Sequence, residues 1–404
     1  MIRLPKNISS KIKFLVGSKK IISNMPYPFL DKLVVEFLSK LSKGLLSRKN
    51  IKNYPDIVTF AFWCRKSNLN KITSENNRNQ IRVGLGLLYH NSPSNVPINF
   101  AYSLVFGLLS GNSSVVRVSS KTSPSRSIVL DEIAIILKIK KYRKIRDLIH
   151  IIQFDHDDQI NEFWISESDG RLIWGGDKTV LKMRKYNSKP RSREIVFPDR
   201  YSICILNAKK ILDISKREID KLCEGLFNDI YLFNQMACSS PQLFNWIGLS
   251  SDIEKAKKKL WPLLIKYAKN KNTLKPIEYM NKYLELCKNV IVNKNIDKVN
   301  IENNLLYSVE LKSLKNHNQS HRGYYGTLNE ISSYNLNEIS SIIDEKCQTL
   351  TYYGFEKDQL VELITKNHLR GIDRIVPVGK SIDMDVLWDG YDILNQLSRI
   401  IVIK

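Results

Sequence analysis

Cys238 sits in FNDIYLFNQMACSSPQLFNWIG, a thiol followed by two serines and a proline, between a helix-like run and the apolar QLFNWIG. Such a context holds a residue at the end of an element. There the sulfur can be accessible and close to helix-terminal N–H groups that favour the thiolate. A thiolate so placed is a nucleophile toward a carbonyl. The commoner role of a cysteine outside disulfides is inert packing. Attack on a carbonyl also requires a donor for the oxyanion. Asn95, in NSPSNVP between Pro93 and Pro97, offers a side-chain amide on a rigid loop, although an Asn in such a loop also serves turn formation. A third group has the makings of a nucleotide site. Arg117, Ser119 and Ser120 close one apparent strand and Gly175–Gly176 another, supplying a cation and backbone donors of the kind that hold phosphates. Taken singly, a Gly-Gly pair is a weak signal and an Arg in a strand is usually a packing residue.

The elements that must position these residues alternate. VGLGLLYH (83–90), SSVVRVSS (113–120), IHIIQFD (149–155) and RLIWGGD (171–177) have the texture of short buried strands. Between them INFAYSLVFGLLSG (98–111), the charged amphipathic stretch 125–148 and DDQINEFWISES have helical texture. Strands alternating with helices predict a parallel, doubly wound sheet whose ligands bind at the strands' carboxyl ends. The loops PSNVP, SSKTSPS and GGD all fall there. REIVFPD and YSICILNA extend the strand pattern, 206–235 is helical and delivers Cys238, and Lys-rich helices follow near 252–270 and 276–292. The pattern divides the chain into a basic helical segment (1–80), a cofactor-binding domain (81–205), a catalytic α/β domain carrying Cys238 (206–375), and a C-terminal segment ending in a strand (376–404). That last strand, SRIIVIK, suits either pairing with a neighbouring subunit in a homo-oligomer or an edge of its own sheet.

Composition narrows the class. The 404 residues, 43% hydrophobic, suffice for two cores. Sixty-three basic against 40 acidic residues give a net charge of +23, which suits anionic ligands. The lysines are interspersed with Asn and Ile, and neither a helix-turn-helix pattern nor a basic stripe with stacking aromatics points to nucleic acid. Six scattered cysteines without a CxxC pair, and six histidines without HExxH, fit a reducing cytoplasm and argue against zinc. No apolar run has signal-peptide or membrane-spanning character.

Together, YPDIVTFAFWCRKSN, HNSPSNVPINFAYSLVFGLLSGNSSVVRVSS, RLIWGGDKTV, FNDIYLFNQMACSSPQ, QTLTYYG and GIDRIVPVGKSIDMDVLWDGYD resemble the aldehyde dehydrogenase superfamily. Within it they resemble the LuxC-like acyl-CoA reductases. The resemblance runs from about residue 27 to the end. It implies a Rossmann-type cofactor domain beside an α/β catalytic domain, and NADPH-dependent reduction of an acyl thioester to an aldehyde. Cys238 then looks like the acyl-accepting nucleophile, and Asn95 like the superfamily's oxyanion donor beside the Cys backbone N–H. Arg117 falls where the superfamily keeps a ribose-binding Lys. Ser120 falls where NAD-preferring members place a Glu, so a 2′-phosphate meets a hydroxyl instead of a carboxylate and NADPH is favoured. Gly175 and Gly176 resemble the pyrophosphate turn, shortened here to GGD with Asp177 nearby. The superfamily's water-activating Glu has no clear counterpart, Glu194 being only close to it. That absence favours acyl transfer over a hydrolytic, oxidising aldehyde dehydrogenase. The resemblance also implies acyl-CoA or an acylated carrier protein as substrate, with an acyl-protein synthetase as partner, up to the case of a subunit active only in its company.

Overall fold

The computed structural model describes residues 1–17, 22–76, 80–271 and 274–404. Residues 18–21 and 77–79, part of the segment expected to be helical, lie outside the described residues. The chain divides into two units, Met1–Asp199 with Met384–Lys404, and Arg200–Asp383.

The first unit holds strands β1 (Lys13–Val16), β2 (Ile81–Gly84), β3 (Leu87–Asn91), β4 (Ser113–Val118), β5 (Ile149–Gln153), β6 (Gly170–Trp174) and β7 (Arg193–Phe197). Its main helices are α1 (Lys32–Leu46), α2 (Asn99–Leu109), α3 (Pro124–Leu137), α4 (Asp158–Glu167) and α5 (Asp177–Arg184). The sheet order is β1-β5-β4-β3-β6-β7. The pairings among β3 to β7 are parallel and β1 joins β5 antiparallel. From β3 the chain winds outward through β4 and β5, then resumes on the other side of β3 with β6 and β7. The winding therefore reverses between β3 and β6, and in such a sheet that point receives the ligand. Every residue of β3, β4 and β6 is buried, as expected when helices cover both faces of a parallel sheet. Helix α2 is apolar on all sides and buried along its whole length. Helix α3 starts sharply because the Ser123 hydroxyl accepts the Arg126 N–H and Pro124 occupies the first turn.

Three local expectations are corrected. Helix is found over Lys32–Leu46, Pro55–Trp63 and Lys66–Asn76, but the N-terminal stretch contributes the edge strand β1. The run 125–148 is not one helix: it stops at Leu137 and resumes as short turns at Lys140–Tyr142 and Arg143–Arg146. Lys138, Lys140, Lys141, Arg143, Lys144 and Arg146 crowd this stretch, and like charges three and four apart oppose a continuous helix. The strand expected at 83–90 is two strands, because Gly86 turns the chain with a φ of +139°, a conformation suited to glycine. Strand β2 leaves the main sheet and pairs antiparallel with Ser398–Ile401. The terminal strand thus pairs inside its own chain. Arg193 Nη1 donates to the Gln396 and Ser398 carbonyls (2.8 and 2.7 Å), and Asn112 Nδ2 to that of Leu397 (2.9 Å).

The second unit comprises β8 (Tyr201–Asn207), α6 (Lys216–Tyr231), β9 (Leu243–Ile247), α7 (Ser250–Lys269), α8 (Pro276–Val292), β10 (Ile296–Glu302), β11 (Leu306–Leu311), β12 (Thr327–Ser333), β13 (Cys347–Tyr353) and β14 (Arg374–Pro377). Its sheet runs β10-β11-β12-β9-β8-β13-β14 and is parallel except for the β10–β11 hairpin. Alternate residues feed two cores. Phe244 and Trp246 meet Leu226, Ile230 and Leu260, while Leu243, Ile203 and Leu350 pack with Tyr307 and Leu363. Helix α6 opens with a capping box in which Ser215 and Glu218 satisfy each other's backbone. Within the expected helical span 206–235, helix is found over Ala208–Asp213 and Lys216–Tyr231, while the first two residues belong to β8. Among the described residues no helix is long and apolar enough to cross a membrane.

Candidate active site

In the first unit the strand ends at the winding reversal are knitted together by Asn91, the last residue of β3. Its Oδ1 accepts from Arg117 Nη1 (3.0 Å) and its Nδ2 donates to the Trp174 carbonyl (3.5 Å). One side chain thus ties the ends of β3, β4 and β6. Arg117 is only 8% exposed, and its guanidinium lies over the Phe154 ring, 5.0 Å from the centroid. It is therefore held beneath the β4 loop rather than extended from it. Ser119 is half-buried and Ser120 exposed. The Ser119 carbonyl accepts from Arg126 Nη1 at 2.6 Å, which fixes the loop's base. Below this edge, His90 Nδ1 and Trp174 Nε1 both meet Ser103 Oγ, at 2.8 and 3.1 Å. Burial pushes the His90 imidazole down to about 3, so it stays neutral.

Gly175 and Gly176 join β6 to α5, with Gly176 as the N-cap. A Cβ at Gly176 would meet nothing within 4 Å, whereas one at Gly175 would press on Thr179 at 3.0 Å. The helix start is thus bare at Gly176, and its backbone donors suit an approaching phosphate. Asp177 Oδ1 accepts the Asp199 N–H at 3.2 Å, which gives that carboxylate a local structural role. These residues fit the phosphates of a dinucleotide. Asn95 is exposed in the β3–α2 loop, whose base is fastened where Ser92 N donates to the Arg117 carbonyl at 3.2 Å. Glu194 is engaged by Arg171 and Arg184, each at 2.7 Å.

In the second unit Cys238 is exposed, while Ser239 and Ser240 beside it are buried. It lies on a turn between the C-terminal end of α6 and β9. Neither flanking element offers it a helix N-terminus, contrary to the expectation from sequence, and its setting comes from a different device. Asn234 and Gln235 take consecutive left-handed conformations, φ of 53° and 58°, which cost about 1–2 kcal/mol each for residues with a Cβ. Gln235 is 1% exposed. Its Oε1 accepts from Gly326 N (2.8 Å) and Thr327 N (3.1 Å), and its Nε2 donates to the Pro241 and Thr327 carbonyls (both 3.1 Å). Gln242, also buried, donates Nε2 to the Gln235 carbonyl (3.0 Å) and accepts from Gly323 N (2.8 Å). Ser202 Oγ, from β8, donates to the carbonyl of Cys238 itself at 2.7 Å. The turn bearing the sulfur is bracketed by two buried amides and anchored from the neighbouring strand.

The sequence motifs missed Asn91, Ser202, Gln235 and Gln242. A polar residue ending an apolar strand was the available signal for Asn91, and two glutamines flanking the ACSSP turn was the signal for the staple.

Comparison with known proteins agrees with this architecture. A long-chain acyl-protein thioester reductase from Aliivibrio fischeri is 23% identical over 165 residues, 40% of this chain and 32% of that protein's length. The match therefore spans about a third of that relative. An NAD-dependent aldehyde dehydrogenase from Sinorhizobium meliloti superposes with a TM-score of 0.64 at 12% identity, covering 98% of this chain and 94% of that one. A glyceraldehyde-3-phosphate dehydrogenase from Methanocaldococcus jannaschii, complexed with NADP, gives 0.61 at 13% identity over 91% and 88% of the two chains. The fold is that of the aldehyde dehydrogenases. Residues 18–400 match the LuxC acyl-CoA reductases, and the chain belongs to that family.

Proposed function

We propose that this chain reduces an acyl thioester to an aldehyde through an acyl–Cys238 intermediate, using NADPH. The observation that carries the reading is Cys238, the exposed one of six cysteines, on a turn fixed by buried amides. Burial pushes the Cys223 and Cys347 thiols up to about 12 and about 11, and those of Cys64 and Cys204 up as well. Such thiols stay protonated and unreactive.

In the proposed cycle the Cys238 thiolate attacks the thioester carbonyl, the carbon–sulfur bond to the donor breaks, and the donor departs as a thiolate. Asn95 is assigned to the oxyanion formed in that attack. Gly175 and Gly176 are assigned to the pyrophosphate, and Ser119, Ser120 and Arg117 to the adenosine ribose and its 2′-phosphate. Arg117 contributes its charge from beneath the loop, where its bond to Asn91 holds it. The loop SSKTSP carries no carboxylate to repel a 2′-phosphate, which favours NADPH over NADH. When bound, NADPH supplies the hydride that converts the acyl group to the aldehyde. Cys238 is then expelled as the thiolate. The double ion pair on Glu194 removes the nearest candidate for a water-activating base and so favours reduction over hydrolytic aldehyde oxidation. The family description points to acyl-CoA as donor, and the Aliivibrio relative's name to an acylated protein. Both are assigned as donors, with an acyl-protein synthetase as the upstream partner.

The test is NADPH oxidation by purified protein with acyl-CoA. Cys238→Ser is expected to abolish turnover. Asn95→Ala is expected to keep the fold and slow acylation by about two to three orders of magnitude, the usual loss for one oxyanion donor. Wild-type rates in Cys238→Ser would overturn the assignment.

A further inference from the structure

Helix α8 reads PIEYMNKYLELCKNVIV, and only Lys282 and Leu286 along it are buried. Ile277, Met280, Leu284 and Ile291 recur at helical spacing on one stripe, flanked by Tyr283 and Val290. These six side chains are between 46% (Val290) and 81% (Ile291) exposed. The polar contact is on the inner side. Lys282, 1% exposed, donates Nζ to the Asn304 and Leu305 carbonyls at 2.8 and 2.9 Å and lies 3.9 Å from the centroid of the Tyr307 ring. A lysine thus locks the helix to the β10–β11 hairpin while the isoleucines face out, the reverse of a normal surface helix. The stripe runs about 20 Å along the helix, and an apolar patch of that extent marks a docking face.

Charge indicates the occupant. Between Lys266 and Lys298 seven exposed lysines stand against three acidic residues, on a chain of net charge +23. A second copy would bring the same lysines against these. An apolar stripe flanked by Tyr283, on a segment with this excess of exposed lysines, matches an interfacial helix on an anionic bilayer. We propose that the outward face of α8 docks this protein on an anionic lipid surface.

The test is flotation of the full chain with phosphatidylcholine vesicles, with and without phosphatidylglycerol, at low and high salt. Binding is expected only to the anionic vesicles and is expected to weaken with salt. The charge-neutral triple variant Ile277→Gln/Met280→Gln/Ile291→Gln is expected to lower that binding about tenfold or more. Val361→Gln, at a 57% exposed position on another helix, is expected to leave it unchanged. Lys275→Glu/Lys288→Glu, which keeps the apolar stripe, is expected to lower binding independently. Undiminished binding by the triple variant would assign the attraction to the chain's overall charge and overturn the proposal. So would failure of the parent to bind, or a dimer in solution that the triple variant dissolves. None of these outcomes bears on the reductase reading, which NADPH oxidation tests separately.

Discussion

Gln235 governs how firmly Cys238 is presented. Its amide meets four backbone groups, the nearby Pro241 carbonyl and three of Gly326 and Thr327 far along the chain, so truncation strands buried donors and acceptors on both sides of the turn. An unmet buried group costs about 1–3 kcal/mol and water reaches some of them. Gln235→Ala is therefore expected to destabilise the second unit by about 3 kcal/mol, read by denaturant melts, and to depress kcat more than it raises KM. Gln235→Glu cannot donate to the Pro241 and Thr327 carbonyls and is expected to behave no better. Removing Ser202 Oγ, with its contact to the Cys238 carbonyl, is expected to cost about 1 kcal/mol. If Gln235→Ala leaves both stability and kcat intact, the staple does not position the sulfur. The exposed turn that carries Cys238 was legible from its neighbours in sequence, because a cysteine between a helix and a strand with a nearby proline is a local pattern. The staple was not, since its partners Gly323, Gly326 and Thr327 lie some ninety residues onward and only the fold brings them near.

At the scale of elements, the bare start of α5, proposed to receive the pyrophosphate, lets helix stability be tested apart from ligand binding. An aspartate is among the better N-caps and complements the helix dipole, yet its charge would face a pyrophosphate. Gly176→Asp is therefore expected to hold or raise Tm while weakening NADPH binding about tenfold or more, measured by fluorescence titration. Unchanged NADPH affinity would remove Gly176 from the cofactor site. Strands β4, β5 and β6 and helix α2 were plain in sequence because burial on all sides leaves uniform apolar runs. Strand β1 was not, because KFLV is short, basic at its start, and made a strand by the backbone of β5 rather than by its own pattern. The break after Leu137 was hidden for a related reason, as apolar spacing continues while like charges unwind the helix.

Across the whole molecule, two buried histidines, His90 and His150, and the half-buried His317 weigh on stability in acid. Burial pushes His90 down to about 3, and His150 and His317 each down to about 4. All three are neutral in the folded chain, while the unfolded chain takes up their protons below its ordinary value of about 6.5. The stability they contribute is therefore present above about pH 6.5 and is lost as pH falls toward 4, by up to about 1.4 kcal/mol per pH unit for each. Melts between those limits are expected to fall steeply, and His90→Gln is expected to flatten the slope by about one proton. An unchanged slope would mean that His90 is already charged when folded.

The central claim is that Cys238 carries the acyl group. It is tested most directly by peptide mass spectrometry of protein incubated with acyl-CoA, before and after NADPH is added. The predicted result is one acyl mass on the peptide containing Cys238 that disappears, with release of aldehyde, when NADPH arrives. An adduct on another cysteine, or an adduct on Cys238 that NADPH does not discharge, would contradict it.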